Sequence, residues 1–270
     1  MTATIRTVAV LGAGNMAGAI AQSLADAGTV DAIRLTTRTR QPAWAERHGH
    51  VVHRALSADE GATAWALEGA DAVILGVKPY DIVALCREIG PLLAPGALVI
   101  SVAAGVTLDA MRAALGDGVR VVRTMPNTPT AIGRGVTALA GDPADGEAAA
   151  ALLEPTGMRE IVDESLINAF SSVAGSGPAY AYAFVEALEA AAVGLGIPAE
   201  QAARIVPAMM LGSLAYLDSS EHDAAELRRQ VTSPGGSTAE ALRVFGERDL
   251  DGLVADALAA ALARNEEMGK

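Results

Sequence analysis

Two hydrophobic periodicities divide this chain. From Ile5 to about Val162, short aliphatic runs alternate with stretches whose apolar residues recur at helical spacing; the runs are IRTVAVLG, AIRLTTR, VVHR, DAVILGV, ALVISV and RVVRT. VAVLG and AVILGV are apolar at nearly every position, as strands covered on both faces require. The alternation predicts a doubly wound parallel sheet, Rossmann-like in layout, over 1–162. Beyond Asp163 the strand signal stops. AYAYAFVEALEAAAVGLG, EQAARIVPAMMLGSLAYL and LDGLVADALAAALARNEE predict an all-helical second domain over 163–270. Pro207 should kink or interrupt its helix. GDPADGEA, near residue 145, reads as a surface connection inside the first domain.

Composition narrows the function classes. Apolar residues make up 51% of the 270 residues but aromatics only 3%, so burial falls to Ala, Val, Leu and Ile and favours close helix packing. The formal net charge of -12 excludes a general binder of nucleic-acid backbones, which needs Lys and Arg to neutralise phosphates. Cys86 is the one cysteine, which rules out an intrachain disulfide; its place in DIVALCREI makes it a packed thiol. No apolar run approaches the ~20 residues that span a bilayer. The N-terminus shows no basic lead before a long apolar core. A cytoplasmic protein without membrane or nucleic-acid partners is expected. His48, His50 and His53 span a helix end and a presumed strand with no Cys or carboxylate placed to complete a site, so surface positions and no metal site are expected there.

The first strand runs into GAGNMAG, which fits G-x-G-x-x-A at Gly12, Gly14 and Ala17. Such a turn brings backbone close to a pyrophosphate and aims a helix N-terminus at its charge. Placed between the first strand and a helix of an α/β pattern, it predicts dinucleotide binding. An acidic residue at the end of the second strand would hold a ribose 2′-hydroxyl. The chain instead carries Thr36, Thr37, Arg38, Thr39 and Arg40 there. Hydroxyls and guanidinium suit a 2′-phosphate, so NADPH is expected over NADH. GVKPY and SVAAGV follow two further strands, at the sheet edge where ligands bind.

VTSPGGSTAEAL, Val231 to Leu242, admits two readings. One is a turn at Pro234-Gly235 followed by a capping box of Ser237 and Glu240. The other is an anion site, in which glycines expose backbone N–H groups where a helix begins.

With VKP, VAAGVT, RTMPNTP, GSGPAY and VTSPGGST in this order behind the fingerprint, the chain resembles the pyrroline-5-carboxylate reductases over nearly its whole length. The resemblance implies NADPH- or NADH-dependent reduction of L-1-pyrroline-5-carboxylate to L-proline, the last step of proline biosynthesis. It implies a Rossmann domain followed by an all-α dimerisation domain, in dimers that assemble further into decamers. Substrate contacts are implied at the backbone of Gly235, Gly236 and Ser237, at Thr238, and near Glu164 and Glu221. Thr238, Ser233 and Glu221 would lie nearest the chemistry. Cofactor contacts are implied at Gly12, Ala13, Gly14, Asn15 and Met16, at Thr37 and Arg38, at Val77, Lys78 and Pro79, and at Ala103 and Ala104. Asn127 would shape the nicotinamide side. Relatives commonly carry an Asn near the start of the third helix, where this chain reads Ser57-Ala58-Asp59, so that contact is not transferred.

The residues allow a chemical reading. Charge-assisted hydrogen bonds of ~1.5–3 kcal/mol each outweigh a helix-end contribution of ~0.3–1 kcal/mol, so amide geometry should dominate carboxylate binding. Thr238 is too weak an acid to be the sole proton source and is assigned orientation and relay. A β-hydroxyacid dehydrogenase would use a Lys in its helical domain, and none occurs between Lys78 and Lys270. The alternative that stays open is an imine reductase acting on a six-membered ring, since one methylene changes binding by only ~1–3 kcal/mol. A nucleotide-sensing or assembly protein is the reading from a different class.

Overall fold

The computed structural model describes residues 5–268. Eight strands form one sheet: β1 (Thr7–Leu11), β2 (Ala32–Thr37), β3 (Val51–Ala55), β4 (Ala72–Leu75), β5 (Leu98–Ser101), β6 (Arg120–Met125), β7 (Gly135–Gly141) and β8 (Gly157–Ile161). Their order is β3-β2-β1-β4-β5-β6-β7-β8. All pairs are parallel except β6 with β7. The strand order reverses between β1 and β4, which pair Val8 with Ala72 and Val10 with Ile74. Chain connections leave that point to opposite sides, opening a crevice at the carboxyl ends.

Alternation along each strand loads both faces. Val8, Val10, Ile33, Leu35, Ile74 and Ile100 pack on one side with helix α1 (Asn15–Ala27). Ala9, Leu11, Val73, Leu75 and Val99 pack on the other with α3 (Pro79–Ile89) and α4 (Leu108–Leu115), α2 (Ala62–Leu67) preceding them. Cys86 is wholly buried in that second layer.

Two expectations need correction. The six strands read from sequence are eight, and the added pair makes the sheet mixed. GDPADGEA is not a surface connection: it starts helix α5 (Pro143–Leu152), whose buried Asp145 accepts from Arg120 Nε at 2.6 Å. Compact packing keeps the chain through Ser176 in the first unit, together with residues from Leu262, and sets Gly177–Ala261 apart as the second. The reason lies in α6 (Ile167–Phe170) and the π-turn Ser171–Gly175, which are bonded to β6 and to the loop behind it.

The second unit holds α7 (Gly177–Gly194), α8 (Ala199–Ser219), α9 (Ala224–Gln230), α10 (Ser237–Glu247) and the first part of α11 (Leu250–Met268). α8 runs through Pro207 without interruption. Among the described residues, no helix is long and apolar enough to cross a membrane.

Candidate active site

The fingerprint turn is pinned from the neighbouring strand. Gly12 N–H donates to the Thr36 carbonyl at 3.1 Å and Ala13 N–H to the same oxygen at 2.8 Å. The Thr36 hydroxyl lies 3.3 Å from the Gly12 nitrogen and accepts from it. Gly12 has φ +80°, and a Cβ there would come within 2.8 Å of Val77 Cγ1. The turn therefore needs glycine both for its left-handed backbone and for the approach of β4's loop. Gly14 is the N-cap of α1 and no side chain caps that turn. The first-turn amides at Asn15 and Met16 have no intrahelical partner, the condition under which a helix start accepts an anion. A pyrophosphate fits this cradle, so the residues present suit a dinucleotide.

The other predicted cofactor residues collect on the same sheet edge. Thr37, Arg38 and Arg40 lie at the end of β2, with both arginines exposed. Val77 and Lys78 follow β4; Lys78 is the extended N-cap of α3 and Pro79 its first residue, the position where a missing N–H is harmless. Ala103 and Ala104 follow β5. Their loop is fixed by Ala103 N–H donating to Ser101 Oγ at 3.3 Å and by Thr124 Oγ1 donating to the Ser101 carbonyl at 2.9 Å.

Asn127 sits behind this edge. It is 7% exposed, and its amide is used inside the unit: Nδ2 donates to the Ala174 carbonyl at 3.0 Å and Oδ1 accepts from Val136 N–H at 2.9 Å. Its side chain thus ties the π-turn to β7. Glu164 is committed as well. Its Oε1 accepts from Leu108 N–H at 2.8 Å and from Arg123 Nη1 at 3.1 Å. Arg123, 4% exposed, also reaches Asn168 Oδ1 at 3.4 Å. The carboxylate closes the N-terminus of α4 against a buried guanidinium, which keeps the loop after β5 in place.

In the helical unit, Ser233-Pro234-Gly235-Gly236 forms a closed turn. Gly236 N–H donates to the Ser233 carbonyl at 3.0 Å, and Gly235 has φ +71°. Proline at the second place and a left-handed glycine at the third are the type II requirements. Two expectations change here. The Gly236 amide is used in closing the turn, so it is not a free donor for a ligand. The capping box does not form: Gly236 is the N-cap of α10 with no side-chain cap, and Glu240 pairs with Arg243 at 2.9 Å instead. The amides of Gly235, Ser237 and Thr238 are left at the helix start. Glu221 lies on the exposed segment between α8 and α9.

His48 does have a carboxylate beside it, contrary to expectation: Nε2 is 3.0 Å from Asp26 Oδ1 on α1. Among the described residues no group of three or more His, Cys, Asp or Glu could hold a metal. Sequence reasoning missed Thr36 as a loop anchor, although it stands one place before the expected ribose contact. It also missed Arg123, whose signal was a basic residue inside the otherwise apolar RVVRT.

The family model described as pyrroline-5-carboxylate reductase dimerisation matches residues 164–268. The model described as NADP oxidoreductase coenzyme F420-dependent matches residues 7–105. The chain is 37% identical to a pyrroline-5-carboxylate reductase of Pseudomonas aeruginosa, covering 97% of each chain. Its fold is similar to a solved pyrroline-5-carboxylate reductase of Coxiella burnetii, with TM-score 0.89, 32% identity and coverage of 99% of this chain and 100% of that one. A Plasmodium falciparum pyrroline carboxylate reductase, solved with NADP bound, shares the fold at TM-score 0.84 and 22% identity over 98% of each chain.

Proposed function

The chain belongs to the pyrroline-5-carboxylate reductase family, and on that premise we propose how its own residues serve the reduction of L-1-pyrroline-5-carboxylate to L-proline, the final step of proline biosynthesis. A nicotinamide cofactor, when bound and reduced, supplies the hydride. The amides of Asn15 and Met16 hold its pyrophosphate at the start of α1, and Gly12, Ala13 and Gly14, whose own amides close the turn, let the backbone approach it. Val77, Lys78, Pro79, Ala103 and Ala104 border the nicotinamide end, and Asn127 supports them from behind. Thr37 and Arg38 favour NADPH, because no carboxylate stands at the end of β2 to take a ribose diol and guanidinium pairs with phosphate in bidentate fashion.

The carboxylate of the imine acid binds the amides of Gly235, Ser237 and Thr238. The Thr238 hydroxyl meets the ring nitrogen, orients it, and relays a proton from solvent. Glu221 adds negative charge that favours the protonated iminium, and Ser233 shapes the turn through its carbonyl. Glu164, with one oxygen already holding Leu108 and Arg123, acts on the cofactor loop rather than on substrate. The helical unit mediates self-association as a homodimer, the building block of a decamer, and the enzyme works in the cytoplasm. Nothing in the relatives or the fold favours a six-membered ring.

The observation that carries this reading is the closed turn with Gly235 at φ +71° leading into an uncapped helix. The test is oxidation of NADPH on adding racemic pyrroline-5-carboxylate, with proline detected as product. Thr238→Ala should lower kcat by more than about tenfold, the range expected when a positioned hydrogen bond to the reacting group is lost. A loss of less than a few-fold would reject the role of Thr238.

A further inference from the structure

The end of β2 holds a second layer behind its exposed arginines. Thr37 Oγ1 donates to the Arg40 carbonyl at 2.8 Å and lies 2.7 Å from His53 Nε2. A hydroxyl has one proton. With that proton on the Arg40 carbonyl, the histidine must donate: the imidazole carries its proton on Nε2 and Thr37 Oγ1 accepts it. His53 stands opposite Leu35 in the strand register and reaches along β2 to Thr37 from the half-buried face of β3. Burial lowers the His53 pKa, which keeps the ring neutral and the single Nε2 proton available for this bond.

The arrangement closes a small ring of chain. Thr37 Oγ1 fastens the Arg40 carbonyl, so residues 37–40 turn back on themselves and both flanking guanidiniums project from one short loop. The side chains of Arg38 and Arg40 make no hydrogen bond or ion pair among the described residues, so their donors are open to an incoming anion. A free threonine hydroxyl would rotate among three staggered positions. His53 removes that freedom by occupying one lone pair.

We propose that His53 is a positioning residue for cofactor specificity: its Nε2–H, donated to Thr37 Oγ1, holds the Thr37–Arg40 loop in the shape that presents Arg38 and Arg40 to the 2′-phosphate of the dinucleotide. The inference rests on the NADPH reading. It predicts a selective effect, because the fingerprint turn at the start of α1, and not this loop, takes the 5′-phosphate.

The test compares binding of adenosine 2′,5′-bisphosphate and 5′-AMP to the full chain by calorimetry, which isolates the 2′-phosphate without requiring turnover. Wild type should bind the bisphosphate more tightly. His53→Phe, which keeps a ring but no donor, should weaken the bisphosphate about five- to tenfold and leave 5′-AMP within about twofold, the size of one lost hydrogen bond. His53→Gln, which retains an N–H donor, should bind both close to wild type. Equal binding of the two nucleotides by wild type would overturn the NADPH reading and this proposal with it. If wild type prefers the bisphosphate but His53→Phe weakens both ligands alike or neither, or if His53→Gln behaves as His53→Phe, the role of His53 alone falls. Should His53→Phe fail to fold, as judged by its melting curve, His53→Ala carries the same expectation.

Discussion

Gly235 concentrates at one residue the demands of the turn proposed to bind substrate. Its φ of +71° is a conformation that a β-branched side chain adopts only with strain, although a Cβ there would meet nothing within 4 Å. Substitution therefore acts through backbone shape and not through a clash. Gly235→Val should raise KM for pyrroline-5-carboxylate by tenfold or more while KM for NADPH stays within about twofold, as measured by steady-state kinetics with each substrate varied. Equal rises in both would point to general unfolding and count against the turn as the carboxylate site. Cys86 is the opposite kind of residue, wholly buried, and burial pushes its thiol up to about 11. Iodoacetamide should leave the native chain unlabelled at pH 8 and label it once denatured; rapid labelling of the folded chain would contradict this. The linkage has a definite sign. The folded thiol keeps its proton above the unfolded value of 9.0, so stability is unaffected below pH 9 and falls as pH rises toward about 11. The decline is on the order of 1 kcal/mol per pH unit, and Cys86→Ala should flatten it in urea titrations.

Elements are joined at the sheet edge by buried polar side chains, and Glu164 shows how a residue outside the sheet controls a loop within it. Removing its carboxylate leaves Arg123 buried without its charge partner, which costs about 3 kcal/mol when one side of such a pair is lost. Glu164 is itself partly exposed, so about 2 kcal/mol is the better expectation. Glu164→Ala should lower the melting midpoint by about 5 °C. It should also raise KM for the cofactor more than KM for the imine acid, because the α4 N-terminus loses its hold on the loop after β5. A change confined to KM for the imine acid, with unaltered melting, would restore Glu164 to the substrate site.

What could be read from residues alone follows the same division. The parallel strands were legible because VAVLG and AVILGV are apolar throughout. β7, GVTALAG, carries glycine at both ends and reads as loop, while β8, GMREI, is a half-exposed edge strand whose polar residues mask it. The fingerprint glycines announce themselves through a local turn. The use of the Gly236 amide in turn closure, and the hold of Thr36, Arg123 and Asn127 on distant loops, depend on partners many residues away, which no local pattern records.

At the scale of the whole molecule, the two units differ in how they satisfy their apolar residues. The sheet unit buries its aliphatic side chains in two layers. Within residues 177–261 the buried apolar residues are only Ala192, Ala202 and Val206, while Leu195 is 84% and Leu211 72% exposed, alongside Phe184, Met209, Leu214 and Leu253. Isolated exposed hydrophobics are ordinary, but so many on one short helical unit leave it with too little buried area to offset the entropy of ordering it. Association with further copies of the chain would supply that burial, in keeping with the dimerisation model matched over 164–268. Stability should then depend on concentration, since mass action favours the associated, folded form. The melting midpoint should rise by several degrees between about 1 and 100 μM chain, and Leu211→Glu should shift sedimentation toward the monomer while lowering the midpoint and abolishing its dependence on concentration. A midpoint that stays constant across that range, with a monomer in sedimentation at the higher concentration, would show that the helical unit is stable without a partner copy.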